Sequence, residues 1–279
     1  MKKLALTFLY YFVTITIYAQ GGIWTWISGD SLPNSAGVFG TQGVPSVINH
    51  PPSVYAPCSW KDRQGNFWTY GGTYSAYSDL WKFNPATHEW TWVKGNGLKN
   101  QPSVYGTKGI ADINNTPGKK DYGSATWVDT AGNFWIMGGG IETSALWKYE
   151  INTNMWTWVS GTTVINSGGI YGNKGMPSML NTPGARRNEA GSTWTDSLNN
   201  LWLFGGFGFD VSSYGYQNDL WKYNITTNEW TWMKGDSIKG APSSYGLQGI
   251  ANPTNDPGAR TTFTRFYDTD GNFWIFGGY

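Results

Sequence analysis

Residues 129–139 read DTAGNFWIMGG, and this stretch decides the fold. Its first half is a turn, in which Asp129 can hydrogen bond the turn backbone and Gly132 can take a positive φ without steric cost. Its second half, 134–137, is a short strand that is apolar on both faces, as expected for a strand covered by neighbouring sheets on both sides. Two glycines then end the strand, because residues without a Cβ allow a sharp bend or a close backbone approach. The stretch therefore predicts a β-hairpin with a buried second strand.

This hairpin belongs to a repeat that the tryptophans mark. The second strand carries Trp68, Trp135, Trp202 and Trp274, which are 67, 67 and 72 residues apart. The remaining members of the 18 tryptophans fall into similar series. These are Trp24, Trp90, Trp156 and Trp230, then Trp26, Trp92, Trp158 and Trp232, then Trp60, Trp127 and Trp194, and finally Trp81, Trp147 and Trp221. Chance cannot place every copy of a rare bulky residue in register, so the chain is an array of one unit.

Each unit reads as four short strands. In the first copy, the pattern predicts the third strand at 80–83 and the fourth at 90–93. No stretch shows a sustained helical period, so we predict an all-β chain. A single antiparallel meander cannot bury both of its faces, whereas copies packed around an axis cover one another. The sequence therefore predicts a β-propeller of four-stranded antiparallel blades with tryptophan rings packed between them.

The order of motifs within the unit points to a known type of repeat. A Gly-Gly pair follows the apolar strand, then comes an aromatic residue, and a tryptophan stands seven residues later. The last two are Phe83 and Trp90, Tyr149 and Trp156, and Tyr223 and Trp230 in the three complete copies. This pattern resembles the kelch-repeat family, including galactose-oxidase-like propellers, in a secreted bacterial form. The resemblance spans Trp24 to Tyr279, although the unit is longer than the kelch length of about 50 residues. Kelch propellers include binding modules, scaffolds and some enzymes, so the resemblance implies the fold and leaves the function open.

The copies add up to three complete blades and a split, incomplete fourth blade. A lone fourth strand is predicted at 23–27, and a first and a second strand follow the third complete blade. We expect either a chain truncated from a larger propeller of about six or seven blades or a small four-bladed ring.

The first residues predict an exported protein. Lys2 and Lys3 precede an apolar run, 4–18, which small residues follow. This order is typical of a secretory signal peptide with cleavage after Ala19. The run is shorter than the roughly 20 apolar residues that a membrane-spanning helix needs. We therefore predict a signal peptide at 1–19, a kelch-like propeller domain at 20–279, no membrane insertion after cleavage, and a secreted, cell-surface or periplasmic location.

The composition excludes several classes of function. The formal net charge is +1, so the chain has no basic field that would attract nucleic acid. One cysteine cannot form an internal disulfide, and one cysteine with two histidines cannot fill a closed zinc site without carboxylates. The galactose-oxidase resemblance would imply copper, but the nitrogen and sulfur ligands of a redox copper site are nearly absent. We predict no metal, no other cofactor and no catalytic residue.

The long connections between units carry a second repeated pattern. An aromatic residue followed by glycine stands in each connection, as Tyr105, Tyr171 and Tyr245 in three of them. In a propeller these connections emerge on the face where such folds usually bind ligands. We interpret these tyrosines mainly as anchors of the connections and include them among the candidate binding residues.

Breaks in the repeat are better candidates for a ligand site, because a residue that recurs in every unit serves the scaffold. The clearest break is the insertion 207–217, which we interpret as a loop, and the next is the pair Arg186 and Arg187. Aromatic faces and arginine forks suit sugar rings, acidic glycans and peptide carboxylates. The candidate binding residues of the insertion are Phe209, Asp210, Tyr214 and Tyr216.

These observations favour an exported, non-catalytic kelch-like propeller that binds a glycan or a surface protein through the long loops between its blades. The alternative is a carbohydrate-active enzyme of the sugar epimerase or lyase type on the same fold. A repeat scaffold without a small ligand is a third possibility.

Overall fold

The computed structural model describes residues 22–73, 76–139, 143–188 and 192–279. Within these ranges every regular element is a β-strand, and all pairings between named strands are antiparallel. This confirms the prediction of an all-β fold. The same part of the chain contains no helix that is long and apolar enough to cross a membrane. The predicted signal peptide, 1–19, lies outside the described residues.

The first blade is a four-stranded meander. Its strands are β1 (Cys58–Lys61), β2 (Phe67–Tyr70), β3 (Leu80–Asn84) and β4 (Glu89–Lys94), and they pair in chain order.

The second and third blades repeat this meander with additions, and a partial fourth blade follows. The second blade consists of β5 (Ala111–Asp112), β6 (Ala125–Val128), β7 (Phe134–Met137), β8 (Leu146–Glu150) and β9 (Met155–Ser160). The third blade consists of β10 (Arg186–Arg187), β11 (Thr193–Thr195), β12 (Asn200–Phe209), β13 (Tyr214–Asn224) and β14 (Glu229–Lys234). The partial fourth blade consists of β15 (Thr264–Tyr267) and β16 (Phe273–Phe276). The described residues thus contain three complete blades and an incomplete fourth, as predicted.

The connection that precedes each complete blade pairs with the outer edge of that blade. In the second blade this contact is a short strand, since β5 pairs with β9 outside the meander. Single bridges occupy the same place in the other two blades, from Ser46 to Trp90 and from Ser178 to Trp230. The predicted four-stranded blade therefore gains a fifth edge segment. Over this part of their length the connections run along the blade edges and do not project as free loops.

Tryptophans of the first strands join each blade to the next. Trp60 in β1 stacks on Phe134 in β7, with ring centroids 5.0 Å apart and planes inclined by 8°. Its indole Nε1 donates to the carbonyl of Trp135 at 3.3 Å. Trp127 in β6 donates in the same way to the carbonyl of Trp202 in the third blade, at 2.8 Å. All four residues of β7 are buried, so this strand is covered on both faces as its composition predicts.

The first strands of neighbouring blades lie against one another. The Thr193 hydroxyl in β11 donates to the Thr126 carbonyl in β6 at 2.6 Å, and the Thr195 hydroxyl donates to the Val128 carbonyl at 2.9 Å. β1 and β6 are also in contact. Because the first strands meet while the connections separate the outer edges, the blades are sectors around a common axis. The architecture is that of a β-propeller arc.

The Gly-Gly pair after each second strand lies where the connection of the next blade crosses. Gly138 has a φ of 72°, and a Cβ at this residue would collide with the carbonyl oxygen of Arg186. Gly139 donates its N–H to the same oxygen at 3.2 Å. The equivalent bonds run from Gly72 to Lys120 and from Gly206 to Arg260. The glycines are therefore required by the close approach of two backbones.

An aspartate holds the turn between the first two strands of each blade. Asp129 accepts hydrogen bonds from the backbone N–H groups of Ala131 and Asn133, and its other oxygen accepts one from Trp135 Nε1 at 2.9 Å. Trp135 is buried, so the carboxylate satisfies a donor that water does not reach. The same bond joins Asp62 to Trp68, Asp196 to Trp202 and Asp268 to Trp274.

The strand predicted at 23–27 is not formed in the structure. These residues have no strand assignment, and Trp24 and Trp26 are 97% and 69% exposed. In every complete blade the fourth strand pairs with a third strand. The sheet of β15 and β16 has no third strand among the described residues, so the segment has no strand edge of this kind to join.

Replacing Asp129 by alanine should lower the free energy of unfolding by about 1–3 kcal/mol, because the buried Trp135 Nε1 would lose its acceptor. Urea denaturation followed by tryptophan fluorescence measures this loss. The control is Thr130→Ala, since Thr130 is an exposed residue of the same turn. Equal stability of Asp129→Ala and the wild type would show that the carboxylate does not hold the hairpin.

Two of the turn aspartates, Asp196 and Asp268, also predict a loss of stability in acid. Burial alone would raise the pKa of Asp196, but hydrogen bonds from Trp202 and Asn200 outweigh it and hold the pKa below the ordinary value of 3.8. Hydrogen bonds from Trp274 and Asn272 lower the pKa of Asp268 to about 2. A carboxyl whose pKa is lower in the folded state stabilises the fold above its unfolded pKa. This contribution is lost as the pH falls through the folded value.

We therefore expect the urea midpoint to fall between about pH 4 and pH 2. Asp196→Asn should reduce this fall, because an amide at that position does not titrate. The control is Asp270→Asn, at an exposed turn position. Its urea midpoint should fall as much as that of the wild type over this pH range. A midpoint that stays constant across this pH range would contradict the role of the turn carboxylates.

Candidate ligand-binding face

The insertion in the third blade is a β-hairpin, which corrects its interpretation as a loop. β12 continues through the insertion to Phe209, and β13 begins at Tyr214. The extension pairs Phe207 with Tyr216 and Phe209 with Tyr214. The physical reason lies in 207–217 itself, where aromatic residues and glycines alternate at both ends with the period of two that a strand requires.

This hairpin has one glycine face and one aromatic face. Gly208 lies against the side chain of Arg186, and Gly215 lies against the side chain of Lys239. A Cβ at Gly208 would collide with Arg186, so glycine allows the hairpin to lie flat on the protein. The half-buried rings of the other face are Phe207, Phe209, Tyr214 and Tyr216. We use the name hairpin face for the surface formed by these four rings together with Arg187 and Tyr122.

The rings of the hairpin face pack on one another. Phe207 contacts Tyr214 and Tyr216, with centroid distances of 4.5 and 4.6 Å. The Phe209 centroid lies 4.8 Å from that of Tyr214. Tyr279 extends the group, since its ring centroid lies 5.5 Å from that of Tyr216. The rings therefore hold one another in place on a paired strand ladder.

Arg187 places a positive charge between two of the rings. Its guanidinium carbon lies 4.8 Å from the centroid of Phe207 and 5.1 Å from that of Tyr122. Tyr122 has a φ of 51°, which is rare for a bulky residue, and its N–H donates to the Thr73 hydroxyl at 2.7 Å. The structure thus brings together the insertion and Arg187, which are separate in the sequence.

Asp210 shapes the turn of the hairpin. The residue is 1% exposed, and its carboxylate accepts hydrogen bonds from the backbone N–H groups of Ser212, Ser213 and Lys239. Burial alone would raise the pKa of Asp210, but these bonds outweigh it and hold the pKa below its ordinary value. Asp210 therefore positions the rings from beneath and does not lie on the outer surface.

Arg186 points away from the hairpin face, into the core of the third blade. It is fully buried, and its guanidinium makes a bidentate ion pair with Asp219 at 2.6 and 2.8 Å. The Tyr171 hydroxyl donates to the same carboxylate at 2.7 Å. Burial opposes the charge of Arg186, but Asp219 outweighs this effect and raises the pKa of the guanidinium. Arg186 and Tyr171 are among the candidate binding residues, but their polar groups contact Asp219 inside the blade.

Tyr105 and Tyr171 of the connections pack on tryptophans of the blade that follows them, whereas Tyr245 is exposed. Tyr105 contacts Trp147 and Trp158, with centroid distances of 5.1 Å in both cases. Tyr171 contacts Trp221 and Trp232 in the same way. Tyr245 is 68% exposed, and its hydroxyl accepts a hydrogen bond from Arg260 at 3.1 Å. These contacts anchor the connections and do not involve the rings of the hairpin face.

The cysteine and histidine side chains that could supply sulfur or nitrogen ligands to a metal do not form a cluster in the described part of the chain. Within the described ranges, no group of three or more His, Cys, Asp and Glu residues could hold a metal ion. Cys58 is buried, and burial raises the pKa of its thiol to about 11. His88 has a φ of 59° in the turn between β3 and β4, where the other complete blades have Asn154 and Asn228 with similar φ values. Cys58 and His88 therefore have local structural roles.

The sequence contained a signal for the hairpin, but not for every residue of its face. The alternation of glycine with aromatic residues in 206–209 and 214–216 is the pattern of a strand with one flat face. Tyr122 and Tyr279 come from distant parts of the chain. No local pattern could have placed them beside Arg187 and Tyr216, because tertiary packing alone brings these segments together.

Comparisons with known proteins give structural likeness at low sequence identity. The sequence matches no protein-family model and no curated protein. Among solved structures, the chain is similar to a fungal alcohol oxidase of the AA5 family in complex with copper, at 13% identity and a TM-score of 0.37, over 71% of this chain and 32% of that chain. It is also similar to YjhT, at 14% identity and a TM-score of 0.41, over 86% of this chain and 68% of that chain. The chain spans about a third of the length of the alcohol oxidase.

Tyr171→Phe should lower the free energy of unfolding by about 2 kcal/mol, because a hydrogen bond to a buried carboxylate would be lost. Tyr105→Phe is the matched control, since Tyr105 occupies the same repeat position and its blade has Ala145 in place of Asp219. Urea denaturation of both variants measures the difference. Equal losses in the two variants would contradict the role of the Tyr171 hydroxyl in the ion-pair cluster.

Proposed function

We propose that this chain is an exported, non-catalytic binding module of the kelch-like propeller kind, and that it binds a glycan on the hairpin face. The observation that carries the proposal is the guanidinium of Arg187 held between the rings of Phe207 and Tyr122. Export is the expectation from the basic, apolar and small residues at the start of the sequence.

The chemistry of the hairpin face suits a sugar ring. The guanidinium carbon of Arg187 lies 5.1 and 4.8 Å from the centroids of Tyr122 and Phe207, and a guanidinium carries its N–H donors around the edge of its plane. Aromatic rings offer a flat apolar surface to the C–H groups of a pyranose, and tyrosine hydroxyls add polar contacts. The combination favours a glycan that carries hydroxyl groups and, beside Arg187, a carboxylate.

The hairpin face is also held in advance of binding. The rings stand on paired strands, the glycine face lies flat on the protein, and Asp210 fixes the turn. Tyr122 keeps a backbone conformation that is costly for a bulky side chain, and such outliers cluster at ligand sites. Groups fixed before binding lose less conformational entropy when the ligand arrives.

A glycan array probed with the wild type and with Phe207→Ala and Arg187→Ala tests the proposal. Each substitution should weaken binding by about tenfold or more, because each removes one side of the ring and guanidinium stack. Arg187→Lys should weaken the binding of acidic glycans in particular, since lysine keeps the positive charge but lacks the planar guanidinium. Phe67→Ala is the control, because Phe67 is 47% exposed on β2 and contacts Phe83 outside the hairpin face.

Circular dichroism of each variant establishes that the blades remain folded. Absence of glycan binding by the wild type would overturn the proposal. Binding that persists in both Phe207→Ala and Arg187→Ala would assign the glycan to another surface. Retention of an extracellular protein by the wild type, without glycan binding, would favour a protein ligand.

A further inference from the structure

The grooves between the outer edges of neighbouring blades differ at one position of the fourth strand. β4 ends with Lys94 and β14 with Lys234, whereas β9 ends with Ser160. Lys94 and Ser160 have the same register, since they pair with Leu80 and Leu146 at the start of the third strand. Their side chains therefore start from equivalent places in two successive grooves.

Lys94 shows what fills this place in the groove between the first and second blades. Its ammonium donates to the carbonyls of Ile113 and Asn154, at 2.7 and 3.2 Å. Lys234 crosses the groove after the third blade and donates to the Asn255 carbonyl at 2.6 Å, two residues beyond the equivalent of Ile113. In both grooves an alkylammonium group thus joins a fourth strand to carbonyl oxygens of the next blade.

The groove between the second and third blades lacks this lysine. Its volume is about 560 Å³, compared with about 460 Å³ for the groove that holds Lys94. Met179 and Asn228 line it and are the repeat equivalents of the two residues whose carbonyls bind Lys94. The Ser160 side chain ends one atom beyond its Cβ, so it is too short to cross to either of them.

The walls of this groove suit an unbranched alkyl chain. Leu180 stands where the first groove has Asn114, and it is 78% exposed. Met179 is 69% exposed beside it. The other apolar side chains of the lining are Val159, Val164 and Ile170.

An ammonium group from a partner would not compete for acceptors with the lysine that already lines this groove. Lys108 also lines it, but its Nζ donates to the Gly161 carbonyl at 2.8 Å and lies 4.4 Å from the Trp158 centroid. Lys174 makes the equivalent contacts in the groove that also holds Lys234, so two lysines occupy one groove there. That groove has Asp236 and Asp256 where the groove of Ser160 has Thr162 and Thr182, so the ammonium here would be bound by neutral oxygens.

We propose that this groove binds the lysine side chain of a protein partner. The alkyl stem would lie along Val159 and Leu180, and the ammonium would donate to the carbonyls of Met179 and Asn228. Lys94 is the precedent for this occupant, since its side chain fills the equivalent place one blade earlier. This site is separate from the hairpin face and does not depend on glycan binding there.

The test uses Nα-acetyl-lysine N-methylamide as the probe and saturation-transfer NMR of the full chain. The Nε-acetylated probe, which has no positive charge, should bind about tenfold more weakly or not at all. The norleucine analogue, which has the alkyl stem without the ammonium, should behave in the same way. Free butylamine tests whether the peptide part of the probe contributes.

Two reciprocal variants locate the site. Ser160→Lys should fill the groove with an internal ammonium and abolish binding, with an unchanged or higher melting temperature. Lys94→Ser should open the preceding groove and add a second binding site. Ser160→Ala is the control that should bind as the wild type does.

Several outcomes would overturn the proposal. Equal binding of the lysine and norleucine probes would show an apolar groove without ammonium recognition. Binding that persists in folded Ser160→Lys would place the site elsewhere. Butylamine that binds when the lysine probe does not would exclude a polypeptide lysine as the occupant.

Discussion

Burial of the apolar faces that neighbouring blades turn toward one another is the constraint on which the structure depends. A meander of four short strands with apolar side chains on both faces has no stable form by itself, and each blade therefore needs a neighbour. Burial of an aromatic side chain contributes about 1.5–3 kcal/mol, and Trp60 and Phe134 supply two such rings at one blade junction. The close approach that this packing demands explains why the crossing backbone meets Gly138 and Gly139, where no Cβ is present.

The repeated side chains stabilise the scaffold, and the unrepeated ones distinguish the blades. The turn aspartates and their tryptophans recur in all four copies and make the same hydrogen bond each time. Arg187, the hairpin 207–217 and Ser160 occur once. The third blade shows both kinds side by side, because Arg186 enters the core while its neighbour Arg187 lies between two rings.

Much of the fold was predictable because local patterns report local geometry. The stretch 129–139 identifies the turn, the buried strand and the glycine pair, and all three are found. The site was predictable in part, since breaks in the repeat pointed to Arg187 and the insertion. The burial of Arg186 and Asp210 was not predictable, because alternation in β10 and the path of the turn decide which side chain faces inward.

The amino-acid sequence by itself determined the repeat, from the spacing of its tryptophans, and the all-β class and the turn between the first two strands of each blade, from residues that are adjacent or two apart along a strand. The tertiary structure decided where the connections run, which of two neighbouring arginines is buried, and that Tyr122 and Tyr279 join the rings of the insertion. It also decided that a missing lysine leaves a groove open. These features depend on contacts between segments tens of residues apart, and such contacts form only when the blades pack around their axis.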